Sequence, residues 1–192
     1  MKLKKLIPKE ILIESSGVHQ YGCAMLYFNF PEIFKLQDVI NPKDVYEDPN
    51  DTSYGLDDEP HITLLYGLHD EVSVADISNI IQKFVFSECI MYNSSLFQND
   101  NYDVLKFDVR YPTKGGAFLH KCNNELSKLP NTNSYPDYHP HMTIGYLKPG
   151  TGQRYADHFN KIQPNGYTLV PSHVVYSNPD GTKNKISIRR WP

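Results

Sequence analysis

The chain predicts an α+β fold of two pseudo-symmetric lobes, each an antiparallel sheet with flanking helices, facing a central cleft. Three observations carry that prediction. Pro-His-x-Thr-x-x-Tyr occurs twice, as Pro60-His61-Ile62-Thr63-Leu64-Leu65-Tyr66 and Pro140-His141-Met142-Thr143-Ile144-Gly145-Tyr146, with the histidines 80 residues apart. A strand, a helix and a hairpin recur in the same order around the two copies. Finally, 192 residues that are 40% hydrophobic and 21% charged make a globular chain, not a disordered one, long enough to bury roughly 70% of its unfolded surface without disulfides or a structural metal. Two copies are too few for a solenoid, so residues 1–192 read as one domain. Its lobe halves fall near 55–112 and 135–192, and an early strand at 21–30 completes the sheet.

That early strand is aromatic and apolar between polar borders. Residues 31–59 are irregular, with turn signals at Asn41-Pro42 and Asp48-Pro49-Asn50-Asp51. Structureless connections of that length are often functional, so the segment reads as a candidate substrate lid. The first motif copy lies on a strand. Apolar residues at Val74, Ile77, Ile80, Ile81 and Phe84 have helical spacing over 74–86, and strands at 89–97 and 102–111 flank the turn Gln98-Asn99-Asp100-Asn101. A helix over 116–129 leads to the second copy. There the order repeats, with a strand ending at Leu147, a helix near 153–162, and strands 167–176 and 182–190 around Asn178-Pro179-Asp180-Gly181.

Lys plus Arg number 19 against 22 Asp plus Glu, a net charge of −3, which argues against binding long nucleic acid and leaves a small anionic ligand open. Cys23, Cys89 and Cys122 form no C-x-x-C pair and read as reduced thiols of a cytosolic protein. No apolar run approaches the roughly 20 residues of a spanning helix, and the basic N-terminus lacks a signal core. A soluble, cytoplasmic monomer without membrane partners is expected.

Side chains two apart on a strand share a face, so His61 and Thr63 point one way and Ile62 and Leu64 the other; His141 and Thr143 obey the same parity. A pseudo-two-fold axis would bring both pairs to one point in the cleft. That arrangement suits a phosphate. One imidazole takes a proton from the attacking hydroxyl while the other gives one to the leaving oxygen. Each Thr hydroxyl donates to a non-bridging oxygen. The reading needs no metal or other cofactor, and leaves open which histidine is the base. The same parity places Tyr66 and Tyr146 in the core. His139, two residues before His141 and matched by Glu59 in the first copy, keeps a metallohydrolase in view. His19, His69, His120, His158 and His173 read as surface or packing residues.

On His61-Ile-Thr63 and His141-Met-Thr143 the sequence resembles the two-histidine (2H, LigT-like) phosphoesterases, through the duplicated elements over nearly the whole chain. Within that superfamily, residues 54–68 look most similar to phage-encoded anti-CBASS nucleases. The resemblance does not extend to residues 1–20 or 31–59. It implies the 2H phosphoesterase fold, with His61, Thr63, His141 and Thr143 catalytic. It also implies cleavage of 3′–5′ bonds in cyclic di- and trinucleotide immune signals, such as 3′,3′-cGAMP, in the cytoplasm of an infected host. An RNA 2′,3′-cyclic phosphodiesterase, a 2′,5′-oligoadenylate hydrolase and a non-cutting sponge are the rival readings. A cyclic dinucleotide needs stacking rings and cations beside the cleft. Tyr21 before the first strand supplies one ring, and parity along the last strand puts Lys185, Ser187, Arg189 and Trp191 on one face.

Overall fold

The computed structural model describes residues 20–51, 53–112, 117–133 and 137–190. Strands β1 (Gly22–Asn29), β2 (His61–Leu68), β4 (Cys89–Gln98), β5 (Asp103–Arg110), β6 (His141–Leu147), β7 (Tyr167–Ser177) and β8 (Lys183–Ser187) form one antiparallel sheet. Its order is β2-β1-β7-β4-β5-β6, with β8 added on β7. Two short strands, β3 (Val85–Phe86) and β9 (Arg189–Arg190), pair with each other in parallel. The α+β expectation holds: helices α1 (Glu32–Gln37), α2 (Val74–Ile81), α3 (Phe118–Leu126) and α4 (Gln153–Ile162) flank the sheet. Among the described residues no helix is long and apolar enough to cross a membrane, and the three cysteines are free and buried.

Alternation builds the core. On β1 Ala24, Leu26 and Phe28 point into it, on β5 Leu105, Phe107 and Val109, and on α4 Tyr155, Ala156 and Phe159. The helix expected over 74–86 is shorter: Ser73 opens it with a capping box, it ends at Ile81, and Val85–Phe86 instead pair with Arg189–Arg190.

The lobes interleave instead of following chain order. The hairpin β4-β5, which follows the first motif copy, pairs with β6, the strand of the second copy. Strands β7 and β8, which follow the second copy, join β1 and β2. The halves 55–112 and 135–192 thus exchange hairpins. The physical reason lies at the edges of β2: β1 occupies one, and Asn123, Asn131 and Tyr138 engage the other, so the hairpin must pair elsewhere. The 11-residue β7 joins the lobes, pairing β4 through 167–169 and β1 through 170–177.

Residues 31–59 are fastened to the outer edge of β6. Backbone bonds run from Tyr46 N–H to the Tyr146 carbonyl (2.9 Å), from Tyr146 N–H to Gly55 (2.7 Å) and from Asp57 N–H to Ile144 (3.1 Å). With α1 and a 3₁₀ turn at Pro42–Asp44, the segment is an edge cover. The lid reading is corrected accordingly, because these backbone groups find their partners on β6.

Candidate active site

Strands β2 and β6 are the two ends of the sheet order, yet their Cα atoms approach within 8 Å. The sheet curls, and the two His-x-Thr strands meet across its concave face. Each histidine is held the same way. His61 Nδ1 lies 2.7 Å from the Glu59 carbonyl and His141 Nδ1 lies 2.8 Å from the His139 carbonyl. A carbonyl only accepts, so each Nδ1 carries the proton and each neutral ring presents the Nε2 lone pair. The residues two before each histidine, considered above as metal ligands, thus serve through their backbone. Among the described residues no three His, Cys, Asp or Glu side chains group as a metal site.

Both strands carry a β-bulge at the same place. Leu64 has no partner between Thr63↔Met25 and Leu65↔Ala24, and Ile144 has none between Thr143↔Lys106 and Gly145↔Leu105. One extra residue reverses the alternation beyond it, so Tyr66 and Tyr146 turn to the face of His and Thr. Their burial agrees: His, Thr and Tyr are partly open while the residues between them are buried. Their core placement by strict parity is corrected. A buried side-chain amide meets each bulge carbonyl. Asn123 Nδ2 donates to Leu64 O at 2.7 Å, and Gln37 Nε2 donates to Ile144 O at 3.1 Å and to Asp57 O at 2.6 Å.

Around the histidines the halves differ. His61 stacks on Tyr27, with centroids 5.5 Å apart, and Tyr27 stacks on His173 at 5.2 Å. Register puts His61, Tyr27, His173 and Ser187 in one row, and Thr63, Met25, Val175 and Lys185 in the next. His173 therefore belongs to the cleft face and is not a remote packing residue. The Tyr27 hydroxyl donates to Glu59 Oε2 (2.9 Å), which also takes Lys183 Nζ (3.0 Å). On the other side, Asp108 neighbours His141, and Lys106 neighbours Thr143. Lys106 is buried, ion-pairs with Asp108, and lies 4.6 Å from the Phe97 ring centre; Phe97 meets His141 edge-on. Burial, joined by the positive charge of Lys106, pushes the His141 pKa down to about 4, while the His139 carbonyl and Asp108 pull the other way.

Lys185 is exposed on the cleft face, three strand spacings from Thr63, roughly 14 Å. Tyr21 stacks on His69 and meets Tyr66 edge-on. Arg189 leaves the sheet for the pairing with β3, so the face that parity predicts ends at Ser187. Trp191 lies outside the described residues. Sequence reasoning missed Lys106, Asp57 and Tyr27. For Lys106 a signal existed: in Val104-Leu105-Lys106-Phe107-Asp108-Val109 the two charges stand two apart in an otherwise apolar run.

The curled antiparallel sheet, whose edge strands carry the two His-x-Thr pairs, has the α+β fold of solved two-histidine phosphoesterases. Among solved structures, the chain is similar to Usb1 of Kluyveromyces marxianus at 9% identity, covering 89% of this chain and 99% of that one, with a TM-score of 0.54. Against Usb1 with uridine monophosphate the TM-score is 0.58 at the same identity and coverage. E. coli LigT complexed with 3′-AMP is 16% identical, with a TM-score of 0.47 over 89% of this chain and 97% of LigT. No protein-family model matches the sequence, and no curated protein matches it.

Proposed function

We propose that this protein is a phosphodiesterase that hydrolyses 3′–5′ bonds of cyclic di- or trinucleotides, with His61 and His141 as its acid–base pair and no metal requirement. The observation that carries the reading is the pair of His-x-Thr strands meeting at the sheet edges, each histidine with Nδ1 on a backbone carbonyl. Burial beside Lys106 keeps His141 neutral near pH 7, which suits the base that takes the proton from the attacking hydroxyl. His61 gives its Nε2 proton to the leaving oxygen. Thr63 and Thr143 donate to the non-bridging oxygens, and the Lys106 ammonium counters the charge that grows on them. With the ribose 2′-hydroxyl as nucleophile, the first product is a 2′,3′-cyclic phosphate; water opens it with the two histidines in exchanged roles.

Support for a cyclic oligonucleotide comes from the exposed Lys185 on the cleft face, a cation for a second phosphate, and from the ring row, whose edges can stack with bases. The role proposed with that substrate is phage counter-defence. The fold likeness to a Usb1 structure holding uridine monophosphate favours a second reading, an RNA-end cyclic phosphodiesterase. Incubating the protein in EDTA with 3′,3′-cGAMP, cyclic tri-adenylate, 2′,5′-oligoadenylate and an RNA ending in a 2′,3′-cyclic phosphate separates them. Linearised cyclic nucleotide is the expected product. Opening of the RNA end alone moves the assignment to RNA processing, and retention without product makes the protein a sponge.

A further inference from the structure

We infer that Asp57 is a positioning residue that polarises the histidine pair: clamped to the strand of His141, it presents its carboxylate to His61 and holds that ring as the proton donor. Asp57 Oδ2 lies 3.6 Å from His61 Nδ1, and the two side chains are 16% and 11% exposed. At that distance, and largely out of water, a carboxylate attracts an imidazolium far more strongly than the neutral ring. The rest of Asp57 is tied down. Its N–H donates to the Ile144 carbonyl (3.1 Å), and its own carbonyl accepts Gln37 Nε2 (2.6 Å), an amide that also bonds Ile144 O. Its other carboxylate oxygen accepts the Glu59 N–H (3.0 Å), which aims Oδ2 at the ring.

Asp57 therefore bridges the halves, with its backbone on the bulge of β6 and its charge on the histidine of β2. Other groups also bear on His61. Glu59 approaches from the same loop, Tyr27 stacks on it from β1 with His173 of β7 stacked behind Tyr27, His141 faces it from β6, and Lys183 from β8 is occupied with Glu59. Of the two carboxylates, Asp57 is the less exposed, and Glu59 is shared between Tyr27 and Lys183. The second motif copy has Asp137 eighty residues on from Asp57, but His141 has the Lys106 cation as its neighbour. The pair thus has a direction that its duplicated sequence lacks.

This inference rests on the acid–base reading above, and its first test does not need a substrate. Histidine ring resonances of the full chain, titrated by NMR, report each ring separately. In the wild-type protein the His61 midpoint should lie above the ordinary value near 6.5; a midpoint below it overturns the proposal. Asp57→Asn keeps the bond to the Glu59 N–H and should lower the His61 midpoint by about one unit or more, leaving His141 within a few tenths. Gln37→Met should reproduce part of that shift, and Glu59→Gln less of it than Asp57→Asn. An unmoved His61, or equal movement of both rings, overturns the positioning role. Once a cleaved substrate is in hand, Asp57→Asn should lower kcat about 10-fold at pH 8 and change KM less than about twofold. A protein that cleaves nothing while showing the Asp57 shift would defeat the phosphodiesterase reading and leave this one standing.

Discussion

Tyr27 and His61 stack with centroids 5.5 Å apart and planes 25° from parallel, and His173 repeats the contact on the far face of Tyr27. The stack fixes the ring plane of His61, while the Glu59 carbonyl fixes its tautomer. Tyr27→Phe keeps the ring and loses the hydroxyl bond to Glu59, so its kcat should stay within about threefold of wild type. Tyr27→Ala frees the imidazole and should cost about 10–100-fold. Equal activity in the two variants would show that the ring does not position His61.

His141 is neutral over most of the pH range because its folded pKa is lowered to about 4. For a base held deprotonated, the unfolded chain binds the extra proton first, so stability is complete above about 6.5 and is lost as pH falls toward 4. Denaturant titrations from pH 8 to 4 should show a loss over that window that shrinks in His141→Gln. The acid limb of kcat/KM should likewise fall well below 6.5. A limb at 6.5 or above would contradict the burial argument.

Lys106 adds charge beside Thr143, its ammonium 4.6 Å over the Phe97 ring and paired with Asp108. Lys106→Met should lower kcat by about 100-fold, the scale of one lost transition-state contact. It should also shift the acid limb to higher pH, since removing a cation eases protonation of His141. Lys106→Arg should recover part of both effects. Unchanged rates in Lys106→Met would remove this residue from the site.

Asn123 donates its buried amide to the Leu64 carbonyl, the unpaired group of the first bulge. Asn123→Leu leaves that carbonyl without its amide and should cost about 1–3 kcal/mol of stability. The variant should also turn Tyr66 from the cleft, visible as a changed Tyr66 ring resonance. A wild-type melting curve would contradict the account of the bulge.

The edge cover makes a claim about motion. The amides of Tyr46, Asp57 and Tyr146, bonded between residues 44–59 and β6, should exchange with deuterium as slowly as those within the sheet. Exchange at the rate of open chain would restore the lid.

These relationships differ in how far the residues alone disclose them. Pro-His-x-Thr is legible because phosphate chemistry needs those side chains and the chain writes them twice. Tyr66 and Tyr146 were misplaced because a bulge belongs to the backbone; its one trace is the two-residue gap before each tyrosine, where strict alternation needs one. The exchanged hairpins follow from which strand edges stay open, and that depends on Asn123 and Tyr138, far from β2 in sequence. Asp57 lies in the irregular segment 31–59, where no pattern marks it, and the pairing of residues 55–57 with β6 brings it to His61.

The most direct test of the central claim is kcat/KM in EDTA for the wild type, His61→Gln, His141→Gln and the double variant, on whichever phosphodiester the protein cleaves. The account predicts a loss of about 10²–10⁴-fold for each single variant, with the double variant little worse than the poorer single, because the two rings act in one step. Activity within a few-fold of wild type in either single variant would contradict it.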